Sequence, residues 1–337
     1  MRPRPDDQAS RTSVILVNYN GAEDTRWCVA SLAGSRSLPK LVVVDNGSNV
    51  GDVEGAIAGY PGAKELIYAP ANVGFGRGNN IGIRWALSST DCEFVFLLNN
   101  DAAVEPDTIG KLEDALDSYP EAGIASPRIV LAEDPNLLWY ASGEVDWRKG
   151  VARVGGYLGP ANAKHALLAK NVTFASGCAM LVRRSVLEEV GGFDPRFFMY
   201  EEDLELCLRI QKKGWTIRYV PKALVLHKGQ GTQRKGKEAY VPELSARNPR
   251  LPFYMFHRVK NRLLNMSIHA RGTNALRFAV FFPAFLLYKC FGFALRGRWD
   301  GIRAVVLGLR EFGSLIKEPF VDELKSEQQD VFLDERS

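Results

Sequence analysis

Phe94-Val95-Phe96-Leu97-Leu98-Asn99-Asn100-Asp101 governs the reading of the whole chain. Five apolar residues run directly into two amides and a carboxylate. An apolar run of this length, rich in Phe and Val, predicts a buried strand of a parallel sheet. Ligands of open α/β sheets sit just beyond the carboxyl ends of the strands, which is where Asp101 falls. Asn and Asp also form turns and cap helices well. Taken alone, the stretch reads as a turn leading to a helix near Pro106.

The flanking sequence repeats the pattern. Apolar runs at 13–17 and 41–44 end in Asn18-Tyr19-Asn20-Gly21 and Asp45-Asn46-Gly47-Ser48, and further strands are predicted at 66–68 and 124–130. Helices are predicted over 25–32, over 107–119, and from the run 72–80 through Ala86. Strands alternating with helices imply right-handed crossovers and a mainly parallel sheet. Several strand ends thus deliver amides and carboxylates to one edge. Asp45 can accept from a base N–H or a ribose hydroxyl, or can close an Asx-turn. Gly74, Gly76 and Gly78 do not match the dinucleotide fingerprint. They either let backbone N–H groups approach a phosphate or form a flexible entry to the helix.

Beyond residue 131 the pattern weakens. It predicts a hairpin over 139–153, a loop over 155–170 carrying a surface His165, a turn into a strand over 174–183, and a helix over 185–190. A second chemical cluster lies at 193–209. Leu204, Cys207, Leu208 and Ile210 follow helical spacing, with Glu201, Glu202, Asp203 and Glu205 at the helix start. Acids there stabilise a helix through its dipole. So many in so few positions also repel one another and raise their pKa values, which a cation or a catalytic task would explain. Arg209 falls one turn from Glu205 and can pair with it. Short strands at 216–220 and 223–226 lead to His227 and a basic, Gly-rich run to Lys237 that can close over a polyanion.

Bulk composition narrows the classes. A chain of 337 residues has room for one large domain with an appendage, or for two domains. A net charge of +4 provides no field that points to nucleic acid. Five scattered cysteines without a C-x-x-C pair predict neither a zinc site nor a disulfide framework, but buried thiols in a reducing compartment. The polar segment 1–11 has no apolar core of a secretory signal and reads as a disordered lead-in, with the protein on the cytoplasmic side.

In order and spacing, Val-Asn-Tyr-Asn-Gly at 17–21, Val-Val-Asp-Asn-Gly-Ser at 43–48, the segment 72–82, Leu-Leu-Asn-Asn-Asp at 97–101 and the segment 192–209 resemble glycosyltransferase family 2, in its bacterial rhamnosyltransferase-like branch. The resemblance covers about 12–232. It implies an α/β GT-A fold, a nucleoside-diphosphate sugar donor, a divalent metal (Mg²⁺ or Mn²⁺) and inversion at the anomeric carbon. Asn99-Asn100-Asp101 stands at the family's D-x-D position with Asn99 replacing the first acid, so the resemblance assigns Asp101 to the metal. It assigns Asp45 to the nucleoside. The neighbouring Asn18, Asn20, Asn46, Asn72, Gly74, Asn79, Asn99 and Asn100 become candidate donor-binding residues. Glu202-Asp203 matches the family's E-D pair, with Asp203 as general base and Glu202 as its substitute candidate. Glu205 stands where a second Asp is usual. His227 matches a histidine near the diphosphate or metal. Two rival classes are a non-catalytic sugar-nucleotide or glycan-binding protein on the same fold, and a nucleotidyltransferase. The latter needs a basic Gly-rich triphosphate loop after the first strand, which Asn18-Tyr19-Asn20-Gly21 lacks.

Composition changes again over 251–310, where ten Lys and Arg face a single acid, Asp300. The uncharged run 278–288 is shorter than the roughly 17–25 apolar residues a membrane span needs. Trp299, Ile302, Val306, Leu309, Phe312 and Ile316 form a helical apolar stripe. Basic amphipathic helices with aromatics lie in membrane interfaces; a helical dimer or a domain-packing surface is the plainer reading of the stripe alone. The expected partition is a lead-in over 1–11, a GT-A domain over 12–232, a flexible loop over 233–250, a basic amphipathic helical region over 251–317 and a disordered acidic tail over 318–337. The expected partners are a sugar-nucleotide donor, a lipid-linked or glycan acceptor and the inner face of the cell membrane, with no nucleic acid.

Overall fold

The computed structural model of the chain describes residues 10–229 and 244–325. The basic run 230–237, most of the lead-in and the end of the acidic tail lie outside the described residues.

The first half alternates as the sequence predicts: β1 (Thr12–Asn18), α1 (Ala22–Ala33), β2 (Lys40–Asp45), α2 (Val53–Ile57), β3 (Lys64–Tyr68), α3 (Phe75–Ser89), β4 (Phe94–Leu98), β5 (Ala102–Val104), α4 (Thr108–Ser118) and β6 (Ala122–Leu131). The short α2 and β5 have no periodic signal and were not expected. Then follow β7 (Leu138–Tyr140), the hairpin β8 (Gly143–Asp146) with β9 (Val151–Val154), β10 (Lys170–Val172), β11 (Ala179–Arg183), α5 (Arg184–Val190), α6 (Glu202–Lys212) and β12 (Thr216–His227). The two strands expected over 216–226 are one, irregular in register between Val220 and Leu224. Pro221 lies in that gap, and proline cannot donate to the ladder. Three long helices complete the described chain: α7 (Leu251–His269), α8 (Gly272–Ala294) and α9 (Trp299–Leu315).

One sheet carries the order β10-β12-β6-β11-β4-β1-β2-β3. Strands β3, β2, β1 and β4 are parallel, whereas β11 runs antiparallel between β4 and β6. This reversal matters for the site. The start of β11 lies beside the end of β4, with Ala179 opposite Leu98. The end of β12 reaches the same edge, with His227 opposite Ala102.

The glycines near α3 serve close packing. Gly74 has φ +90°, and a Cβ there would lie 2.3 Å from the Phe198 carbonyl oxygen. A Cβ on Gly82 would lie 2.5 Å from Ile15 Cγ2. Helix α3 therefore settles onto β1 and against the 193–198 loop at distances that exclude any side chain. Close packing accounts for these two glycines without a flexible entry to the helix.

The helical region has its own apolar core, in which Leu251, Met255, Val259, Phe278, Phe282, Phe293, Ala304 and Val305 are buried. Helix α9 buries its small face, Gly301, Ala304, Val305 and Gly308. A Cβ on Gly308 would stand 2.8 Å from the Phe256 carbonyl oxygen of α7. The predicted stripe consequently points outward: Trp299 is 66% and Val306 43% exposed. Backbone-to-backbone approach through small residues, rather than the apolar stripe, holds α9 to α7.

Two expectations for this region are corrected. Lys260 and Arg262 are buried and turn inward to the catalytic domain rather than to a membrane. The acidic tail is packed at its start. Glu323 is buried, its carboxylate bonded to Arg77 Nε at 2.7 Å and Asn80 Nδ2 at 3.0 Å. Asn80 in turn grips the Phe193 backbone through both its amide atoms.

Candidate active site

Five polar side chains lock the carboxyl ends of β1, β2 and β4 together. Asn18 donates to Asp45 Oδ1 at 3.0 Å and to Ser48 Oγ at 3.0 Å, and accepts from Thr25 Oγ1 at 2.9 Å. Ser48 donates to Asp45 Oδ1 at 2.5 Å. Asn100 donates to Thr25 Oγ1 at 3.1 Å. Asn18 is fully buried, so it wires the platform rather than touching a ligand. Asn46 performs a similar task, accepting from Val73 N and donating to Asn72 Oδ1 and the Gly74 carbonyl. Asn20, at φ +55°, accepts from the backbone of Asn49 and Val50. Asn79 donates to the Phe75 carbonyl within its own helix. Of the predicted donor-binding residues, Asp45 keeps an oxygen outside this network while remaining mostly buried.

Asp101 and His227 meet at the edge of the sheet. His227 Nε2 lies 3.0 Å from Asp101 Oδ1. The Trp139 ring packs edge-on to the imidazole at 4.5 Å. Burial opposes the imidazolium, yet contact with Cys178 and Asp101 outweighs it and lifts the pKa well above the ordinary histidine value. The backbone N–H of Lys228 donates to the Asp101 carbonyl at 3.0 Å, and its ammonium pairs with Asp24 at 2.7 Å. Among the described residues no three His, Cys, Asp or Glu side chains gather into a metal site. The arrangement fits a hard cation shared with a ligand. Asp101 would supply one carboxylate to such a cation, the Asn99 Oδ1 is buried without a hydrogen-bond partner, and hard cations commonly complete their shell with phosphate oxygens and water.

The second acidic centre opens α6. Tyr200 and Glu201 both adopt left-handed backbone, at φ +72° and +69°, a conformation costing non-glycine residues of order 1–3 kcal/mol each. The turn places Asp203 where Gly177 N donates to its Oδ2 at 3.0 Å. Withdrawal of its carboxylate from water raises the Asp203 pKa to about 6, against the pull of the Gly177 N–H and with help from Glu201. Burial and the neighbouring Asp203 push Glu202 well above the usual carboxylate range. Glu205 goes the other way, to about 2, because Arg209 and His269 outweigh its burial. It bonds Arg209 Nη2 at 2.7 Å and lies 3.3 Å from His269 Nε2. Glu205 is thus an ion-pair anchor.

Helix α7 holds the strained turn. Asn261 Nδ2 donates to the carbonyls of Met199 at 2.8 Å and Tyr200 at 2.6 Å, and Asn265 Nδ2 to that of Glu201 at 3.0 Å. Lys260 donates to the Arg196 carbonyl at 3.0 Å. The sequence reading missed this clamp, together with Trp139 and Gly177. The available signal was Asn261, Asn265 and His269 at four-residue steps, the spacing of one helix face.

The two centres are neighbours. Gly177 holds Asp203 while the next residue, Cys178, lies beside His227. Strand β11 running antiparallel to β4 is what brings both to the edge where Asp101 stands.

Comparison with known proteins agrees with this architecture. Over 233 residues the chain is 33% identical to the N-acetylglucosaminyl-diphospho-decaprenol L-rhamnosyltransferase of Mycobacterium tuberculosis, covering 64% of this chain and 75% of that protein. It is 28% identical over 238 residues to the low-salt glycan biosynthesis hexosyltransferase Agl10 of Haloferax volcanii, covering 70% and 73%. Solved structures share the fold. The mannosyltransferase PcManGT of Pyrobaculum calidifontis, in complex with GDP-Man and Mn²⁺, superposes with a TM-score of 0.52 at 14% identity over 93% of this chain and 77% of that one. GalNAc-T7 with UDP, GalNAc and Mn²⁺ gives 0.54 at 19% identity over 73% of this chain and 48% of that one. The family model for glycosyl transferase family 2 matches residues 13–191, and the chain belongs to that family, in a rhamnosyltransferase-like branch with a GT-A fold.

Proposed function

We propose that the chain is an inverting, metal-dependent glycosyltransferase that moves a sugar, a deoxyhexose such as rhamnose from its dTDP donor, to a lipid-linked acceptor during cell-envelope glycan assembly. The observation carrying this reading is the pairing of two separate acidic centres across the turn at Gly177 and Cys178. One is a carboxylate with a pKa of about 6, suited to accept a proton near neutral pH. The other is a carboxylate–imidazole pair beside an unpartnered amide oxygen. The named activities of the bacterial and archaeal relatives support the substrate classes.

In this mechanism the acceptor hydroxyl oxygen forms a bond to the anomeric carbon as the bond to the donor's β-phosphate oxygen breaks. Asp203 takes the hydroxyl proton. Its Gly177 contact keeps the carboxylate aimed, and the α7 clamp keeps the turn in place. Asp45 receives the nucleoside at the end of β2. Asp101, with His227 against it, would hold a divalent cation that neutralises charge growing on the leaving diphosphate. The exposed aromatic faces of α8 and α9 rest on the inner face of the cell membrane, where a lipid-linked acceptor resides. Helix α8 is long and apolar enough to cross a bilayer. Its buried side, however, packs on the protein at both ends: a Cβ on Gly150 would touch Phe278, and one on Gly301 would touch Phe293. We therefore assign it a position on the membrane surface.

The test is a panel of nucleoside-diphosphate sugars with Mn²⁺ and a prenyl-diphosphate-linked acceptor, run on wild type and Asp203→Asn. Transfer by wild type and loss in the variant is the expected outcome. Equal turnover by both would remove Asp203 as the base. Donor binding without transfer to any acceptor would favour a non-catalytic binding protein.

A further inference from the structure

Beyond the strand-edge site the chain holds a second concavity. It has a volume near 700 Å³ and lies between the segment leading into α7 and the carboxyl-terminal half of α8. Three cations line it: Arg247 from the segment, Lys289 and Arg296 from α8. None of the three has a carboxylate within ion-pair distance among the described residues, whereas Arg298 nearby is paired with Asp300. Arg296 Nη1 reaches back only to the Gly292 carbonyl, at 2.9 Å. Three cations around one hollow repel one another, so an unneutralised cluster of this kind favours an anion.

The rest of the lining says which kind. Tyr288, Phe291 and Leu295 belong to the same wall and are 72%, 65% and 69% exposed. They continue along α8 into Leu287, at 73%, and onto Trp299, at 66%. A free, fully hydrated anion has no use for such a rim. An anion tethered to hydrocarbon does: its charge meets the cations while its chains run over the aromatic and aliphatic face. Aromatic residues with Lys and Arg at one level are the chemistry of a bilayer's headgroup layer.

We propose that this cavity is a binding site for the phosphate of an anionic bilayer phospholipid, with Arg247, Lys289 and Arg296 as its ligands. It orients α8 in the membrane plane. The site rests on the membrane-surface reading above and adds a lipid preference to it. Because the cavity lies between α8 and the segment that leads into α7, and α7 grips the turn before Asp203, the lipid would dock the catalytic domain in one orientation.

The experiment is vesicle flotation of the full chain, without donor or acceptor. Phosphatidylcholine vesicles are compared with vesicles containing phosphatidylglycerol, for wild type and for the triple variant Arg247→Gln/Lys289→Gln/Arg296→Gln. Arg247 and Arg296 are exposed, and a thermal melt checks that the variant is folded. Wild type should bind the anionic vesicles at least roughly tenfold more tightly, an effect in keeping with several basic residues at a charged surface. The variant should lose that preference and keep its weak binding to phosphatidylcholine. As a measurement free of mutation, high salt should abolish the wild-type preference. A variant that keeps the full preference overturns the cavity assignment and leaves the membrane reading standing. Absence of binding to any vesicle overturns both. If phosphatidylcholine doped with a polyprenyl phosphate is bound tightly while phosphatidylglycerol is not, the phospholipid assignment is wrong and the cavity serves the acceptor.

Discussion

The strand-edge platform and the turn ahead of α6 are both lined with asparagines, yet the two are held differently. At the platform, Asn18, Asp45, Ser48, Thr25 and Asn100 bond one another from strand ends, the loops that follow them and the first turn of α1. At the turn, Asn261 and Asn265 use their N–H groups on the backbone of another element, while their Oδ1 atoms, like Glu202 Oε2, are buried without partners. Buried polar atoms left so are costly. The platform is therefore a network formed where the strands of the sheet meet their own connecting segments. The turn is strained backbone pinned from outside by a helix of the carboxyl-terminal region, and that asymmetry matches the proposed division between donor recognition and proton transfer.

Mutations can break this comparison. The largest effect is expected for Asp203→Asn, with transfer falling roughly 10²- to 10⁴-fold. The sign for stability is opposite. A carboxyl whose folded pKa is raised to about 6 favours the folded state when protonated and loses that contribution as pH rises through 6. At neutral pH the neutral amide should thus melt at the same temperature or higher. A melting temperature that fell sharply would show that Asp203 acts structurally.

Next in size, EDTA should abolish transfer, and Asp101→Ala should raise the Mn²⁺ required for half-maximal activity roughly 100-fold or more. Activity unaffected by chelation would remove the metal from the mechanism. Asn261→Ala or Asn265→Ala leaves buried carbonyls unpaired, at a cost of about 1–3 kcal/mol in stability. Each should lower kcat roughly tenfold with little change in donor KM. Asn18→Ala should do the reverse, raising donor KM more than it lowers kcat. If both sets of variants shifted the same parameter, the division between platform and clamp would fail.

The pH profile sharpens the same point. On the acid side, kcat/KM should fall about tenfold per unit below pH 6 as Asp203 is protonated. Glu205, depressed to about 2, is ionised throughout that range. Its stabilising ion pair is present above the ordinary carboxylate pKa and lost only as pH falls through about 2, so circular dichroism should remain native while activity disappears. The smallest effect is expected for Glu323→Gln, which weakens the contact with Arg77 and Asn80. A loss of about 1 kcal/mol, read as a melting shift of roughly 2–4 °C, would show that the start of the acidic tail stabilises the fold.

Much of this molecule is legible in one dimension. Apolar runs ending in Asn or Asp determine β1, β2 and β4, since side-chain burial on both faces of a parallel strand leaves a continuous apolar signature. The ordered motifs also determine the family, whose model matches residues 13–191. What the sequence could not decide depends on partners distant along the chain. The strand reversal at β11 joins Asp203 to the Asp101 edge, and no local pattern encodes a neighbour's direction. The sequence could not say which face of α9 is buried, because close backbone packing at Gly301 and Gly308, not apolar area, sets it and leaves the stripe outward. Lys260 and Arg262 read as surface charge, but the tertiary structure buries them. In the folded chain the carbonyls of Met199, Tyr200 and Glu201 accept from Asn261 and Asn265 of α7, donors that lie far along the chain from the turn they hold.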